Sequence, residues 1–248
     1  MLRRKDIYVL IILLGALLLG LVSLNIFGLG SVVGFVKDAG LLTAWILGWI
    51  LAIACASRQL PQEEKRGTIL TLLAKPIPRG ELIVGKWLGA WSVICVAVLC
   101  FYLLTLVMVR VYGGHMEMLP LAQAFLLHIM ALGIIVAVAI SLSTRFNQDA
   151  AATISYVATI AMFILVPRIP QMVAYATGWR QTALLIIYGL LPHFELFDMR
   201  RRVVHNYGTM PWSSFFLILI YGLLIVAIFL ILAWFGFRNK RFSRSNQD

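Results

Sequence analysis

Long apolar runs alternate with short polar segments along this chain. Six of the runs are of the length that a helix needs to cross the hydrocarbon core of a bilayer, about 20 residues. They are residues 7–27, 41–57, 87–109, 121–144, 150–166 and 213–237. The pattern predicts an all-α integral membrane protein in which residues 1–248 form a single transmembrane domain.

The first apolar run follows a basic N-terminus that contains Arg3, Arg4 and Lys5. It is longer than the apolar core of a signal peptide and lacks a small-residue cleavage site, so we expect a first span whose N-terminus lies inside. Residues 28–40, which contain Lys37 and Asp38, are then expected to form a short external loop.

Residues 168–211 form the longest segment without a predicted span. Within it, residues 182–197 are apolar but too short to cross unaided, and Pro192 interrupts them. We expect an external re-entrant or interfacial helix before the last span. Both termini are then inside, with 14 Lys and Arg inside and 7 outside. This bias agrees with the positive-inside rule, although Arg200, Arg201 and Arg202 would lie outside in a long loop, where charge counts for less.

Composition agrees with a membrane protein, since 62% of the residues are hydrophobic and 12% are charged, against about 25% charged in soluble domains. The net charge of +11 is interpreted as a topology signal and not as a nucleic-acid surface. Cys55, Cys95 and Cys100 lie in apolar runs and offer neither a disulfide framework nor metal-ligand spacing. The localisation we expect is a bacterial plasma (inner) membrane.

Residues that could catalyse a reaction are scarce. The four histidines lack ligand spacing, and His128, which lies inside a span, is expected to hydrogen-bond to a neighbouring helix. The predicted spans contain no Asp, Glu, Lys or Arg, whereas ion-coupled carriers usually place such residues in the membrane. We therefore expect no catalysis, no metal site and no cofactor in this chain, and an external energy source if it moves a substrate uphill.

Residues 80–87 resemble a phosphate-binding loop without being one. They match the first seven positions of G-x-x-x-x-G-K-[ST], but Trp87 stands where a Ser or Thr hydroxyl would hold magnesium. The neighbours are a proline-broken segment and a membrane span, not a strand and a helix of an α/β domain. We do not expect nucleotide binding here.

Small residues recur at every fourth position in the second and fifth spans. This spacing places them on one helix face, where another helix can approach closely or a pathway can run. The two sets are Ala44, Gly48, Ala52 and Ala56, and Ala151, Ser155 and Thr159.

The polar segment 58–86 has more internal order than a loop needs. Gly67 favours a break, Thr68 is a candidate N-cap, and Leu72 and Leu73 continue a short amphipathic helix. Pro76 and Pro78 should end that helix. A new helix should begin near Arg79, with Trp87 and Trp91 as anchors at the membrane interface. The alternative is a solvated loop whose charges only fix topology.

This segment resembles the loop between the second and third spans of type-2 ATP-binding-cassette (ABC) exporter permeases. The matching residues are Glu64, Gly67, Thr68, Leu72, Leu73, Pro76, Arg79, Gly85 and Lys86. The six spans, the inside termini and the partly apolar external segment around Leu191, Pro192, Phe194 and Phe197 are also similar to that family.

The resemblance implies a permease subunit that forms a homodimer or heterodimer in the lipid bilayer. ATP and Mg would bind to a separate ABC ATP-binding subunit, whose groove would receive the coupling helix. The residues implied in coupling are Glu63, Glu64, Arg66, Gly67, Thr68, Leu72, Leu73, Pro76, Arg79, Gly85 and Lys86. In that family the second and fifth spans line the export path, which would give the two small-residue faces a role.

Two other functions stay open. A membrane scaffold or maturation factor could dock a cytoplasmic partner through the same loop without transporting anything. An intramembrane enzyme would require a buried nucleophile or carboxylate pair, which we do not find. Lipids, glycolipids, peptides and drugs all remain candidate substrates.

Overall fold

The computed structural model describes residues 32–65 and 78–238, and no strand occurs in these two ranges. The prediction of an all-α fold is therefore confirmed. In chain order the helices are α1 Val32–Lys65, α2 Arg79–Val111, α3 Met118–Ser143, α4 Gln148–Leu165, α5 Ile169–Tyr175, α6 Trp179–Leu190, α7 Arg200–Val204 and α8 Trp212–Arg238. Two 3-10 turns, Val166–Arg168 and Phe194–Phe197, connect the helices between α4 and α7.

Five stretches of the described chain are long and apolar enough to cross a membrane. They are Val33–Lys65, Arg79–Val111, Met118–Ser143, Gln148–Tyr175 and Trp212–Arg238. Trp179–Gly189 and Phe194–Val204 would add another if this pair, bent by 41°, forms one broken span or a re-entrant loop. The first predicted span, residues 7–27, lies outside the described residues.

The helices extend beyond the predicted spans. Helix α1 already includes residues 32–40, which were expected as loop, and it continues to Lys65. Its 34 residues correspond to about 51 Å, well beyond the roughly 30 Å hydrocarbon core. The Gln, Glu and Lys in its last described turn are good helix formers but carry no apolar signal, so hydropathy alone could not predict that the helix reaches Lys65.

Helix α3 lies at the centre of the helix packing. Every residue from Ala131 to Ile140 is buried, so this stretch has no exposed face. A helix that is apolar all round is buried by its neighbours, and α3 packs against α1, α2, α4 and α8. The other long helices keep one apolar face outward, as lipid contact requires.

Successive long helices run antiparallel to one another, so their termini lie at two opposite ends of the helix bundle. We call the end with Lys65, Arg79, Ser143, Gln148 and Arg238 the loop end. The opposite end, which we call the cap end, carries the cap segment, residues 193–211. Four apolar side chains of that segment are buried against the long helices, namely Phe194, Phe197, Met199 and Val203. The segments that were predicted to lie on one side of the membrane therefore lie at one end of the helix bundle. Which side of the membrane each end faces stays a prediction.

Two tryptophans expected at the membrane interface lie in the helix packing. The Trp87 indole donates to the Gly133 carbonyl at 2.9 Å, and the Trp91 indole donates to the Ile129 carbonyl at 2.7 Å. The two rings stack with centroids 5.2 Å apart. Gly133 leaves room for them, because a Cβ there would lie 3.1 Å from the Trp91 Nε1. The anchor interpretation is therefore corrected to one of packing of α2 on α3.

Candidate functional site: the base of the loop between α1 and α2

The candidate site is the described part of the predicted coupling loop, residues 58–65 in α1 and residues 78–86 at the start of α2. Six residues that the resemblance implied in coupling lie outside the described residues: Arg66, Gly67, Thr68, Leu72, Leu73 and Pro76. The flanks are described on both sides. The expected restart of helix near Arg79 is confirmed, because α2 begins there.

Pro78 explains where α2 starts. Its backbone is extended, with φ −63° and ψ 139°, and its carbonyl accepts hydrogen bonds from the amides of Glu81 and Leu82. A proline cannot donate to a preceding helical turn but tolerates this position. Glu81 in the first turn also suits the positive end of the helix dipole.

An ion pair joins the two flanks of the loop. The Lys86 ammonium bonds to a carboxylate oxygen of Glu63, and the two side chains are 22% and 23% exposed. This contact joins Glu63 and Lys86 across the segment of chain between them. The last turn of α1 and the second turn of α2 are therefore held together at the base of the loop.

Arg79 contacts the last described turn of α8, far away in sequence. One guanidinium nitrogen donates to the carbonyls of Phe237 at 3.1 Å and Arg238 at 2.6 Å, and the guanidinium lies 5.8 Å from the centroid of the Phe237 ring. Arg79 therefore joins the start of α2 to the main chain of α8.

The last two turns of α8 are also packed closely. Gly80 lies against Trp234, since a Cβ at residue 80 would be 3.7 Å from the indole Cδ1. On another side, a Cβ at Gly236 would lie 2.6 Å from the Thr144 hydroxyl and 3.3 Å from the Arg145 Nε. The end of α8 is thus held between the start of α2 and the link from α3 to α4.

The remaining described residues of the coupling set differ in their surroundings. Glu64 is half-buried in the last turn of α1, whereas Gly85 is exposed and a Cβ there would meet nothing within 4 Å. Gln62 connects the same turn to α4, because its amide donates to the Gln148 amide oxygen at 3.4 Å. Direct contact with an ATP-binding subunit stays a prediction for this set.

Both small-residue faces are buried inside the helix packing. On α1 this holds for Ala44, Gly48, Ala52 and Ala56, and on α4 for Ala151, Ser155 and Thr159. A Cβ at Gly48 would lie 3.1 Å from Val98 and 3.3 Å from the His128 Nε2. The hydroxyls of Ser155 and Thr159 donate to carbonyls of their own helix. A pathway role for these faces stays a prediction.

The surroundings of His128 differ from the expectation. Its ring stacks on Trp45, with centroids 4.5 Å apart and planes 5° from parallel. Neither ring nitrogen has a hydrogen-bond partner within the part of the chain that the structure describes. The histidine therefore contacts the neighbouring helix through its ring face, and the expected hydrogen bond is replaced by stacking.

A small cleft of about 80 Å³ between α1 and α4 was not foreseen. Its wall is almost wholly apolar and aromatic, and Arg200 at the cap end lies 5.7 Å from the Trp45 ring centroid while bound to Asp198. The spacing of aromatic residues along α1 was a sequence signal for this cleft, but the same spacing is equally typical of ordinary helix packing. The lining residues are Leu42, Trp45, Ile46, Trp49, Leu132, Ile135, Thr159, Phe163, Phe194 and Arg200.

Within residues 32–65 and 78–238, no three His, Cys, Asp or Glu side chains converge on a position that could hold a metal ion. Comparison with curated proteins finds no match to the chain. One protein family does match. The family described as ABC-2 family transporter protein covers residues 17–244, which is most of the chain. With its apolar helices and this match over nearly its whole length, the chain belongs to the ABC-2 transporter family of membrane proteins.

Proposed function

We propose that this chain is the permease subunit of an ABC exporter and that a separate ATP-binding subunit docks on the coupling loop predicted for residues 58–86. Membership of the ABC-2 transporter family supports a transmembrane transport role. The observation that carries the coupling proposal is the base of the loop. Its two flanks are joined by the Glu63–Lys86 ion pair and bound to α8 through Arg79.

The physical argument is that a docking loop transmits a force only if its ends are fixed to the elements that must move. A loop attached by flexible ends would follow the ATP-binding subunit without displacing the helices. Here α1 is described as far as Lys65, and α2 begins at Arg79, on the two sides of residues 66–77. Movement of the loop is therefore delivered to two membrane helices at once.

The partners and the site of ATP binding follow from this proposal. ATP and Mg bind to the partner subunit, and this chain contributes the docking helix. Two permease subunits, identical or different, assemble in the plasma membrane of a bacterium, with both termini and the loop on the cytoplasmic side. The cleft between α1 and α4 supports a pathway along those helices, since it offers an apolar and aromatic surface that ends at a charged pair.

The test is co-purification of the chain, tagged at one terminus, with soluble ATPases. A P-loop ATPase should co-purify, and Leu72→Glu should remove it because a charge on the apolar face of a docking helix opposes burial. Leu119→Glu, the same change on an exposed side chain at the cap end, should leave binding intact. A chain that never binds a P-loop ATPase, or that binds one equally well with Leu72→Glu, would refute the proposal.

Gly67→Pro tests the same loop through its backbone. We expect the membrane-inserted complex to keep hydrolysing ATP while transport in vesicles falls, because a proline at a hinge fixes φ and removes a donor. A scaffold that does not transport would show no ATP-dependent export in the unmodified complex either. Equal export by the wild type and the proline variant would argue against a hinge at Gly67.

A further inference from the structure

We propose that Arg79 is a positioning residue that transmits movement of the docking loop to the last membrane helix, α8. This inference rests on the proposed function, because it concerns what happens after the ATP-binding subunit moves the loop. In a loop-docking mechanism the adjoining helices α1 and α2 are the obvious receivers of that movement. The contacts of Arg79 add α8, whose residues lie far from the loop in sequence.

The first step of the argument is the position of Arg79. It is the first residue of α2, directly after Pro78, on the side from which the predicted docking segment enters the helix. Any displacement of that segment therefore reaches Arg79 before the rest of α2. Lys86, about two turns further along α2, bonds to Glu63 and links this helix to α1.

The second step is the strength and direction of the contact with α8. The guanidinium bonds to two consecutive carbonyls, those of Phe237 and Arg238, and also lies near the Phe237 ring. Hydrogen bonds from a charged donor are stronger than neutral ones. Gly80 packs on Trp234 one turn away. The contact therefore holds the end of α8 at two levels.

The third step is what α8 would move against. Gly236 lies against Thr144 and Arg145, in the link between α3 and α4. A pull on the end of α8 therefore shifts it past the central helix α3, along which α8 packs. Arg79 would therefore connect the docking loop to α8, a helix that does not adjoin this loop in sequence.

The experiment follows the loop end of α8 with spin labels in the reconstituted complex with its ATPase. Cys55, Cys95 and Cys100 are first replaced by serine, and labels are placed at Ile231→Cys on α8 and Val157→Cys on α4. Both side chains are exposed in the structure. The distance between the labels is measured without nucleotide and with ATP and vanadate, which traps the ATPase in its closed state.

We expect a nucleotide-dependent change of this distance in the labelled parent, its loss in Arg79→Ala, and its partial return in Arg79→Lys, which keeps the charge but donates from one centre. Arg110→Ala removes the same side chain from the exposed opposite end of α2 and should leave the change intact. Melting temperatures of all variants show whether a loss reflects folding, and Arg79→Lys should melt like the parent.

The outcomes separate this inference from the proposed function. If no ATPase binds, the proposed function fails. If the ATPase binds and hydrolyses ATP but Arg79→Ala shows the parental distance change, or the parent shows none, the role of Arg79 is overturned while the docking proposal stands. Loss of the change in Arg79→Ala with ATPase binding retained, and with Arg110→Ala like the parent, supports the inference.

Discussion

The two ends of the helix bundle are held together by different physical means. At the cap end, residues 193–211 bury Phe194, Phe197 and Val203 against the long helices. At the loop end, polar side chains join helix termini, as in Glu63–Lys86 and Arg79 with the end of α8. Burial of apolar side chains is worth about 1.5–3 kcal/mol each, whereas a partly exposed ion pair is worth about 0–1 kcal/mol.

This difference suits the two ends to different roles. Polar contacts between helix ends let the joined helices adjust without leaving a cavity, whereas removing a buried aromatic side chain leaves one. Under the proposed function, the loop end is the place where docking would act. The cap segment is expected to stay packed against the long helices as they move.

The largest effect should come from Phe197→Ala at the cap end. Phe197 is fully buried and lies against α8, where a Cβ at Gly222 would be 3.1 Å from its ring. Removing the ring should lower the free energy of unfolding by about 3–5 kcal/mol, measured by thermal melting in detergent. Leu196→Ala, on the neighbouring and 43% exposed residue, should change it little. Equal effects of the two changes would contradict the burial of the Phe197 ring against the long helices.

The next effect concerns a polar contact at the cap end. The Gln123 side chain bonds to both backbone groups of Met210, donating to its carbonyl at 3.2 Å and accepting from its amide at 2.9 Å. Gln123→Leu removes both hydrogen bonds at a cost of about 0.5–1.5 kcal/mol each. Hydrogen exchange at the Met210 amide should accelerate. Gln171→Leu, on an exposed residue, should not alter it.

Close packing at the loop end can be tested with Gly236→Ala. The added methyl would meet the Thr144 hydroxyl at 2.6 Å, so we expect a loss of about 1–3 kcal/mol from overpacking. Gly89→Ala has nothing within 4 Å and should stabilise α2 by up to about 1 kcal/mol through helix propensity. If both variants melt like the wild type, the end of α8 is not held as described.

The smallest stability effect is expected at the Glu63–Lys86 pair. Glu63→Gln and Lys86→Gln should each change the free energy of unfolding by less than about 1 kcal/mol, and the exchange Glu63→Lys with Lys86→Glu should recover the difference. A double-mutant cycle at low and high salt measures the interaction. A coupling energy that is large and independent of salt would mean that the loop end is as firmly fixed as the cap end.

The sequence was sufficient for the fold class and for the start of α2. Apolar runs of membrane-spanning length have few interpretations, and Pro78 marks a helix start with a local mechanism. The extent of α1 was harder to predict, because Gln62, Glu63 and Lys65 continue the helix without an apolar periodicity. Helix propensity favours helix at these residues, and a hydropathy pattern does not detect it.

Long-range contacts carry no periodic signal, so the sequence could not reveal them. Arg79 and Phe237 are 158 positions apart, and Trp87 and Trp91 are typical interfacial anchors by composition although they donate to carbonyls of α3. The cleft between α1 and α4 requires the relative placement of helices. These features depend on tertiary packing, which the residue types alone leave undetermined.

The length of α1 has a mechanical consequence. One continuous helix carries Lys37, whose ammonium donates to the Asn206 side chain at the cap end, and Leu60 near the loop end. These residues are separated by about 35 Å along the axis. A tilt of about 10° around the midpoint would carry the two ends in opposite directions by about 3 Å each, from the same helical dimensions. Under the proposed function α1 would act as a rigid lever, and a push at the loop end would produce an opposite displacement of its other end.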